Sequence, residues 1–438
     1  MKLRSIVAGF LVLAFVGTSH AQLSNVFSKI FNQVLRNDVQ LSPGLPSTHF
    51  FEAADHANAV LTPALNTLIA SNVSSFPLSS TAAGVTFDFS SGQPISTTES
   101  LGPIFAERPQ TLGGGKLNLG FNYTNLNLAR LRGIRTQDMR FTFTHVDVTP
   151  DDSLGNNPNE SDTIDLFPNL DVDANIYAVF ATVGVTDHFD VGVAVPFVSV
   201  AMHGKARAVI NSFTFAFSGS ATHRFNSDPL NPDFVDEIPY DVTSTGVGDI
   251  ALRLKYNFGT SGSLDWAALA DIRLPTGDEK NYRGTGKAEV RLAWAMSTKI
   301  HDFNPHLNFG YDRRGGKADS DELEFTIGFD QKVATGVTFA ADFLGEVDLN
   351  SDERIRLFPG SVTIVDRYST GTGEARNVRK VDLSNIPDRK NDNTLNAAFG
   401  FRLAPSERLL LLANMLVPLN SGGLRSTVVP TVGATVSF

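Results

Sequence analysis

The stretch Thr245–Phe258, TGVGDIALRLKYNF, alternates between apolar and polar side chains. In a β-strand, Leu252 and Leu254 would share one face and Arg253 and Lys255 the other, because successive side chains point to opposite faces. A soluble sheet would turn the apolar face towards a protein core. A membrane barrel would turn it towards lipid and line a wet lumen with the charges. The rest of the chain must decide between these two structures.

The same alternation recurs to the C-terminus in segments of about ten residues, which is the length that a tilted strand needs to cross a bilayer. Strands of soluble proteins average about five to six residues. Short links such as 259–263 and 334–336 alternate with long ones such as 203–245 and 350–393. Outer-membrane barrels combine short periplasmic turns with long external loops in this way. We therefore predict an all-β fold, a transmembrane antiparallel β-barrel over residues 111–438.

The number of strands depends on how the first barrel residues are interpreted. Counting back from the C-terminus, the strands keep a consistent direction as far as Met139–Val148, which makes 12. Lys116–Leu128 alternates in the same way, and an even count then requires a partner such as Gly84–Phe89. We predict 14 strands, with 12 as the alternative.

The N-terminus has the features of a secretory signal peptide over residues 1–21. Lys2 and Arg4 precede a short apolar run, and the run is followed by Ser19-His20-Ala21, a small-x-small cleavage site. A membrane anchor is the alternative, although the run is shorter than the roughly 20 residues that a spanning helix needs. With cleavage near Ala21, we expect export to the bacterial outer membrane. The absence of cysteine fits passage through an oxidising periplasm.

The formal net charge of −10 argues against a nucleic-acid-binding protein, and the near-neutral mean hydropathy argues against a helical membrane protein. A barrel remains compatible, because its strands average an apolar and a polar face. The expected partners are outer-membrane lipid and a small solute, with no nucleic acid.

Residues 22–110 do not show the barrel pattern. The first part has apolar residues at helical spacing, and a second helical stretch is expected over about 51–70. We predict a partly helical plug inside the lumen, with a periplasmic or surface segment as the alternative. The apolar face of the first helix consists of Val26, Phe27, Ile30, Phe31 and Val34.

Three segments, TGVGDIALRLKYNF, DIRLPTGDEKNYRGTGKAEVRLAWAMSTKI and NPHLNFGYD, resemble the outer-membrane family named for the MetA pathway of phenol degradation. That family is similar to the FadL-like group of hydrophobic-compound channels. The resemblance implies a Gram-negative outer-membrane barrel that admits small hydrophobic or aromatic molecules. The terminal Phe438 resembles the signal that such barrels present to the barrel-assembly machinery.

The sequence contains no pattern typical of a catalytic, metal or cofactor site. There is no His-Glu-x-x-His or Gly-x-Ser-x-Gly motif, and the acidic residues 147–171 lack EF-hand spacing. His145 and Asp147 would share one face of a strand, which is expected of a lumen or rim pair. We therefore predict no catalytic residue, no metal, no cofactor and no enzyme activity.

Strand alternation also predicts which side chains face the lumen. The charged residues could form cross-strand pairs that stabilise the wall, or a transverse field that selects solutes. The apolar residues could receive the helix face or a ligand, and we favour the helix. The predicted charged lumen residues are Arg253, Lys255, Asp271, Arg273, Glu289, Arg291, Asp342 and Arg402. The predicted apolar lumen residues are Leu269, Leu344, Leu410, Leu412, Leu416 and Val429.

Two functions follow from these predictions. The first is an outer-membrane channel for passive uptake of small hydrophobic or aromatic molecules. The second is a sealed structural or interaction barrel that acts through its long loops. Pro196 and Pro430 interrupt the strand ladder, where they could open the wall sideways or simply mark a strand end or bulge.

Overall fold

The computed structural model describes residues 22–42, 45–74, 87–88, 95–96, 100–103, 105–148, 153–314, 320–349, 355–370 and 373–438. The predicted signal peptide, with its cleavage near Ala21, lies outside these residues. Within them, no helix is both long enough and apolar enough to cross a membrane.

Twelve antiparallel strands form a closed barrel, since each pairs with the next along the chain and the last pairs with the first. In order, β1 to β12 are Leu117–Leu131, Asp171–Thr186, Phe189–Asn211, Ile250–Ser261, Leu264–Leu274, Glu289–Thr298, Phe303–Arg313, Glu322–Ala334, Val337–Asp348, Thr394–Leu403, Leu409–Pro418 and Val429–Ser437. A further strand, Val235–Val247, precedes β4 in the chain. Both pair with β3, so the two strands lie end to end along it. We call the two ends of the barrel the turn rim, with the short connections, and the loop rim, with the long ones.

The predicted all-β barrel is confirmed, but the predicted count of 14 strands is wrong. The number in the alternative, 12, is correct, although Lys116–Leu128 supplies one of these strands and Met139–Val148 does not. Within Met139–Val148 only Phe141–Thr144 is a strand, and it pairs with Thr163–Phe167 beside the extended end of β3. Four residues rise about 13 Å, which is too short to cross an apolar layer of about 30 Å. Within Gly84–Phe89, the described residues 87–88 belong to a separate two-stranded sheet.

Side chains of the barrel strands alternate between an exposed outer face and a buried inner face. On β4, Tyr256 is 48% exposed, whereas the next inward residue, Lys255, is 1% exposed. On the outer face near the turn rim, the rings of Phe258, Trp266 and Trp294 stack, with centroids 4.4 to 5.8 Å apart. An apolar band edged by aromatic residues is the arrangement that membrane barrels present to lipid.

The part of the chain before the barrel contains two helical stretches, which together with their link we call the helical segment (residues 22–74). Their elements are Leu23–Asn25 (3-10), Val26–Asn32 (α1), Gln33–Asp38 (π), Thr48–Phe50 (3-10), Phe51–His56 (α2), Ala57–Leu61 (π) and Thr62–Ser74 (α3). The other helices of the described residues are Thr136–Asp138, Pro158–Ser161, Phe213–Ser218 (α4) and Glu279–Asn281. The remaining short strands are Gln40–Ser42, Leu45–Pro46, Ile134–Arg135, Ser361–Thr370, Gly373–Asp382 and Leu424–Ser426.

The helical segment packs against the inner faces of β1, β2 and β3 in the half of the barrel nearer the loop rim. Its buried residues share one hydrophobic cluster with Leu128, Val172 and Val200, which point inwards from these strands. The cluster continues into the loop-rim strands through Phe141 and Phe143. On this side the lumen is therefore filled by packed apolar side chains.

The two prolines considered in the sequence analysis, Pro196 and Pro430, lie at interruptions of the ladder. Pro196 occupies the point where β3 changes partner from Val235–Val247 to β4, and its carbonyl oxygen accepts a hydrogen bond from Gly248 N at 2.8 Å. Pro430 is the second residue of β12 and lies opposite Met415. A strand break or a strand start tolerates the missing proline N–H.

Candidate functional site

A line of alternating charges crosses the inner faces of β4 to β8. Arg253, Asp271 and Arg291 lie opposite one another on β4, β5 and β6. Arg253 Nε is 2.6 Å from Asp271 Oδ1, and Arg291 Nη1 is 3.2 Å from Asp271 Oδ2. Arg291 also pairs with Glu324 on β8. These contacts have the geometry of the predicted cross-strand pairs, which stabilise a sheet by about 0.2–1 kcal/mol each.

The charges also bind a piece of chain that overlaps the end of the region predicted as a plug, residues 22–110. We call residues 100–103 and 105–112 the lumen segment. Its Glu107 Oε1 is 2.5 Å from Arg253 Nη1, and its Oε2 is 3.2 Å from Lys255 Nζ. Burial opposes ionisation of Glu107, but the two cations hold the pKa of its carboxyl below the ordinary value. Asn308 accepts a hydrogen bond from Glu107 N at 2.6 Å and donates one to its carbonyl at 2.9 Å.

Nearer the turn rim, two buried carboxylates on the wall hold the same segment. Asp330 accepts a hydrogen bond from Arg108 Nη2 at 2.8 Å. Asp342 accepts one from the backbone N–H of Phe105 at 2.8 Å. His306 lies between these carboxylates, with Nε2 2.7 Å from Asp342 Oδ1. The lumen segment is thus fastened by charge-assisted hydrogen bonds, which are stronger than neutral ones.

The eight charged residues predicted to face the lumen all point inwards, but they do not form one site. Four of them, Arg253, Lys255, Asp271 and Arg291, belong to the network around Glu107. Asp342 and Arg402 lie nearer the turn rim, where Arg402 donates to the carbonyl of Leu101 at 3.3 Å. Arg273 and Glu289 face each other across β5 and β6 nearer the loop rim, and Arg273 donates to the carbonyl of Ser74 at the end of α3.

The six predicted apolar residues also separate into different environments. Leu410 packs against Leu101 of the lumen segment, and Leu269 lies in a small cluster with two alanines of β6. Leu412 is 7% exposed. The cluster that contains the helical segment includes or borders the remaining three, Leu344, Leu416 and Val429.

The predicted helix face is buried in that same cluster. Each of its residues is at most 4% exposed, and the ring of Phe31 meets that of Phe143 edge-on at 5.9 Å. The residues are Val26, Phe27, Ile30, Phe31 and Val34.

The loop at residues 275–286 contacts the helical segment. It contains GTG and all of LPTGD except the first residue. Tyr282 is fully buried, and its hydroxyl donates to Asn66 Oδ1 at 2.5 Å. The side-chain oxygen of Asn281 accepts a hydrogen bond from Leu23 N at 3.3 Å. The loop therefore contacts both helical stretches.

Asp249, at the end of TGVGD, holds this loop in place. Its carboxylate accepts hydrogen bonds from Gly277 N at 2.8 Å and Thr285 N at 2.9 Å. The two loop glycines lie at close approaches: a Cβ on Gly277 would be 2.2 Å from Arg283 O, and one on Gly284 would be 2.4 Å from Asp249 Oδ1. The residues that carry the family resemblance thus build an anchor for the helical segment.

A cavity lies against the wall formed by β4 to β9. Arg253, Asp271 and Arg291 line it on one side, and Phe105 of the lumen segment borders it. Leu344, which points inwards from β9, adds apolar surface. The cavity therefore offers aromatic and charged surface to the same molecule.

Three histidines from distant parts of the sequence meet near the loop rim. His49 Nδ1 is 3.2 Å from His223 Nε2, and the ring of His145 lies 4.4 Å from that of His49 between centroids. Burial lowers the pKa of His145 to about 4 and lowers that of His49. Sequence reasoning considered His145 only with Asp147, because the other two histidines come close only in the folded chain.

One family model, described as "Putative MetA-pathway of phenol degradation", matches residues 155–408. No curated protein matches the sequence. Similar solved structures include an outer membrane channel from Pseudomonas putida F1, with 10% identity, coverage of 75% of this chain and 97% of that one, and a TM-score of 0.41. Others are the CymD monoaromatic hydrocarbon channel (10% identity, 75% and 91% coverage, TM-score 0.32) and a Pseudomonas aeruginosa FadL homologue (10% identity, 82% and 98% coverage, TM-score 0.34).

Proposed function

Since the chain belongs to the MetA-pathway phenol-degradation family, whose model matches more than half of its length, we propose that it is an outer-membrane channel for passive uptake of small hydrophobic or aromatic molecules. The proposal includes removal of residues 1–21, a lumen-filling region over residues 22–110 and a barrel over residues 111–438. The turn rim faces the periplasm, and Phe438 is the signal for the barrel-assembly machinery.

The observation that carries the proposal is how the lumen is filled. The wall is a complete hydrogen-bonded ring, but the lumen holds two separate pieces of chain that belong to no barrel strand. The lumen segment is attached through side chains such as Glu107 and Arg108, which can exchange partners with water without breaking the ring. Movement of this segment would open the barrel towards the turn rim.

The cavity beside the lumen segment supports the choice of solute. A small aromatic molecule with one polar group could place its ring against Phe105 and Leu344 and its polar group against the ion pairs. Binding pockets for small molecules combine apolar lining with a few placed polar groups in this way. We propose that Arg253, Asp271 and Arg291 orient such a solute.

A reversible cross-link tests the proposal, because the chain contains no cysteine of its own. Ser100 Oγ lies 3.4 Å from Thr338 Oγ1, so the double variant Ser100→Cys/Thr338→Cys brings two sulfurs within reach of a disulfide. We expect oxidation to abolish uptake of a radiolabelled aromatic solute into proteoliposomes and a reductant to restore it. The two single variants, which cannot form the bridge, are the controls.

Equal uptake in the oxidised and reduced double variant, with the disulfide verified by mass spectrometry, would refute passage past the lumen segment. No uptake in any form, including a variant lacking residues 23–35, would favour the sealed structural or interaction barrel. Planar-bilayer conductance of the same proteins provides a second measurement.

A further inference from the structure

The three histidines near the loop rim, His49, His145 and His223, form a site that the uptake pathway does not use. They come from the helical segment, from the chain after Phe141–Thr144 and from the chain between β3 and Val235–Val247. One ligand nitrogen of each lies within 4.8 Å of the others. His145 is 3% exposed and His223 is fully buried.

Hydrogen bonds at Nδ1 orient the rings of His145 and His223 so that Nε2 of each ring faces the centre of the cluster. His223 Nδ1 is 2.9 Å from Asp162 Oδ2, and His145 Nδ1 is 2.5 Å from the carbonyl oxygen of Val146. Each Nδ1 therefore carries the proton and donates it, which leaves the lone pair on Nε2 facing inwards. Metal-binding histidines characteristically donate their other ring N–H to a carboxylate or a carbonyl.

One inward-facing nitrogen has no protein partner among the described residues, and the other faces only another histidine of the cluster. His145 Nε2 is buried and has no hydrogen-bond partner among the described residues. His223 Nε2 faces His49 Nδ1 at 3.2 Å. In a tetrahedral zinc site with Zn–N bonds of about 2.0–2.1 Å, two ligand nitrogens are about 3.3 Å apart. The His49–His223 separation is already close to that value.

The ring of Phe50 shields the cluster, with its centroid 5.6 Å from that of His145 and 5.3 Å from that of His223. Asp162 is buried too, and it also accepts the backbone N–H of Phe213 at 2.7 Å, so its orientation towards His223 is fixed by a second contact. His49 is the partly exposed member and provides access for an ion.

We propose that His49, His145 and His223 bind one divalent transition-metal ion, with Zn²⁺ as the best-fitting ion, and that the bound ion fastens the helical segment to the chain at the loop rim. Three imidazoles suit Zn²⁺ and leave its fourth position to water. Because His145 and His223 belong to the chain at the loop rim and His49 to the helical segment, the ion stabilises the docked arrangement of that segment.

The test is a titration of tag-free, EDTA-treated protein in detergent with ZnCl₂ by calorimetry, and with CoCl₂ by visible absorption. We expect one Zn²⁺ per chain, a tetrahedral Co²⁺ spectrum and a rise in the temperature of thermal unfolding with Zn²⁺. The His145→Asn and His49→Asn variants should each lose at least tenfold in affinity. His203→Asn is the matched control, because His203 lies on β3 and pairs with Asp241 on the exposed surface.

Unchanged Zn²⁺ affinity in His49→Asn, a partly exposed position whose replacement leaves the buried core intact, would overturn the site. Absence of stoichiometric binding to the unmodified protein would do the same, as would an equal loss in His203→Asn. The readout is metal binding and not solute uptake, so a failure here is distinct from a failure of the proposed channel function.

Discussion

Glu107 and Arg253 are 146 residues apart in the sequence, yet Oε1 of the first lies 2.5 Å from Nη1 of the second. The same carboxylate reaches Lys255, whose side chain is 1% exposed. Two wall cations thus depend on one anion from the lumen segment. Removing this anion would therefore leave two buried cations without their partner.

Replacing Glu107 with glutamine keeps the shape of the side chain and removes its charge. We expect the lumen segment to open more readily, by about 1.5–3 kcal/mol, because hydrogen bonds to charged groups contribute about that much. Hydrogen exchange of the amides of residues 105–112 measures the change. Glu237→Gln, which removes an exposed pair with Lys205, should alter it by less than about 1 kcal/mol. Equal protection in Glu107→Gln and the unmodified protein would contradict this role.

Tyr282→Phe removes one hydroxyl from the contact between residues 275–286 and the helical segment. We expect faster hydrogen exchange in Thr62–Ser74, corresponding to about 1 kcal/mol for the lost hydrogen bond to Asn66. Tyr311→Phe is the control, because its hydroxyl bonds Asp321 on the exposed side of the barrel. If exchange in α3 responds equally to both changes, Tyr282 is not an anchor.

Gly277→Ala places a Cβ 2.2 Å from the carbonyl oxygen of Arg283, which is backbone and can move only with the loop. We expect destabilisation of about 1–3 kcal/mol, the usual range for overpacking, and weaker attachment of the helical segment. Thermal unfolding and protease sensitivity of the segment measure both effects. Gly114→Ala, whose Cβ would meet no atom closer than 3.4 Å, should behave like the unmodified protein.

Asp38 makes the docking of the helical segment sensitive to pH. Burial, followed by the nearby carboxylate of Asp236, raises the pKa of Asp38 to about 6 from its ordinary value near 4. The docked form therefore holds a proton that the undocked chain releases, so docking is favoured below pH 4 and weakens as the pH rises through 6.

The Asp38→Asn variant, which resembles the protonated form, should reduce the loss of protection in residues 23–38 between pH 4 and pH 7. Hydrogen exchange corrected for the intrinsic effect of pH provides the measurement. Asn37 lines the same surface pocket as Asp38 and Asp236, and Asn37→Ala leaves the charge unaltered, so this variant serves as the control. A pH response that is unchanged in Asp38→Asn would rule out this carboxyl as its source.

Much of the wall was predictable because its signal is local. Alternation along β4 to β12 predicted each of these strands within a few residues, and Lys255 and Asp271, two of the polar residues of this alternation, are buried. The strand count was harder, because Met139–Val148 alternates like a barrel strand but pairs for only four residues. Whether a segment joins the ring depends on its neighbours and not on its own pattern.

The sequence by itself determined a barrel of 12 to 14 strands with an apolar outer face. It could do so because side-chain direction in a strand reverses at every residue, whatever the strand packs against. Only the tertiary structure decided which residues hold the chain inside the lumen. The contacts of Glu107 with Arg253, and of His49 with His145 and His223, join residues that become neighbours when the ring closes. The periodicity of the sequence cannot predict these contacts, because they depend on the register of all the strands that separate the two residues in the chain.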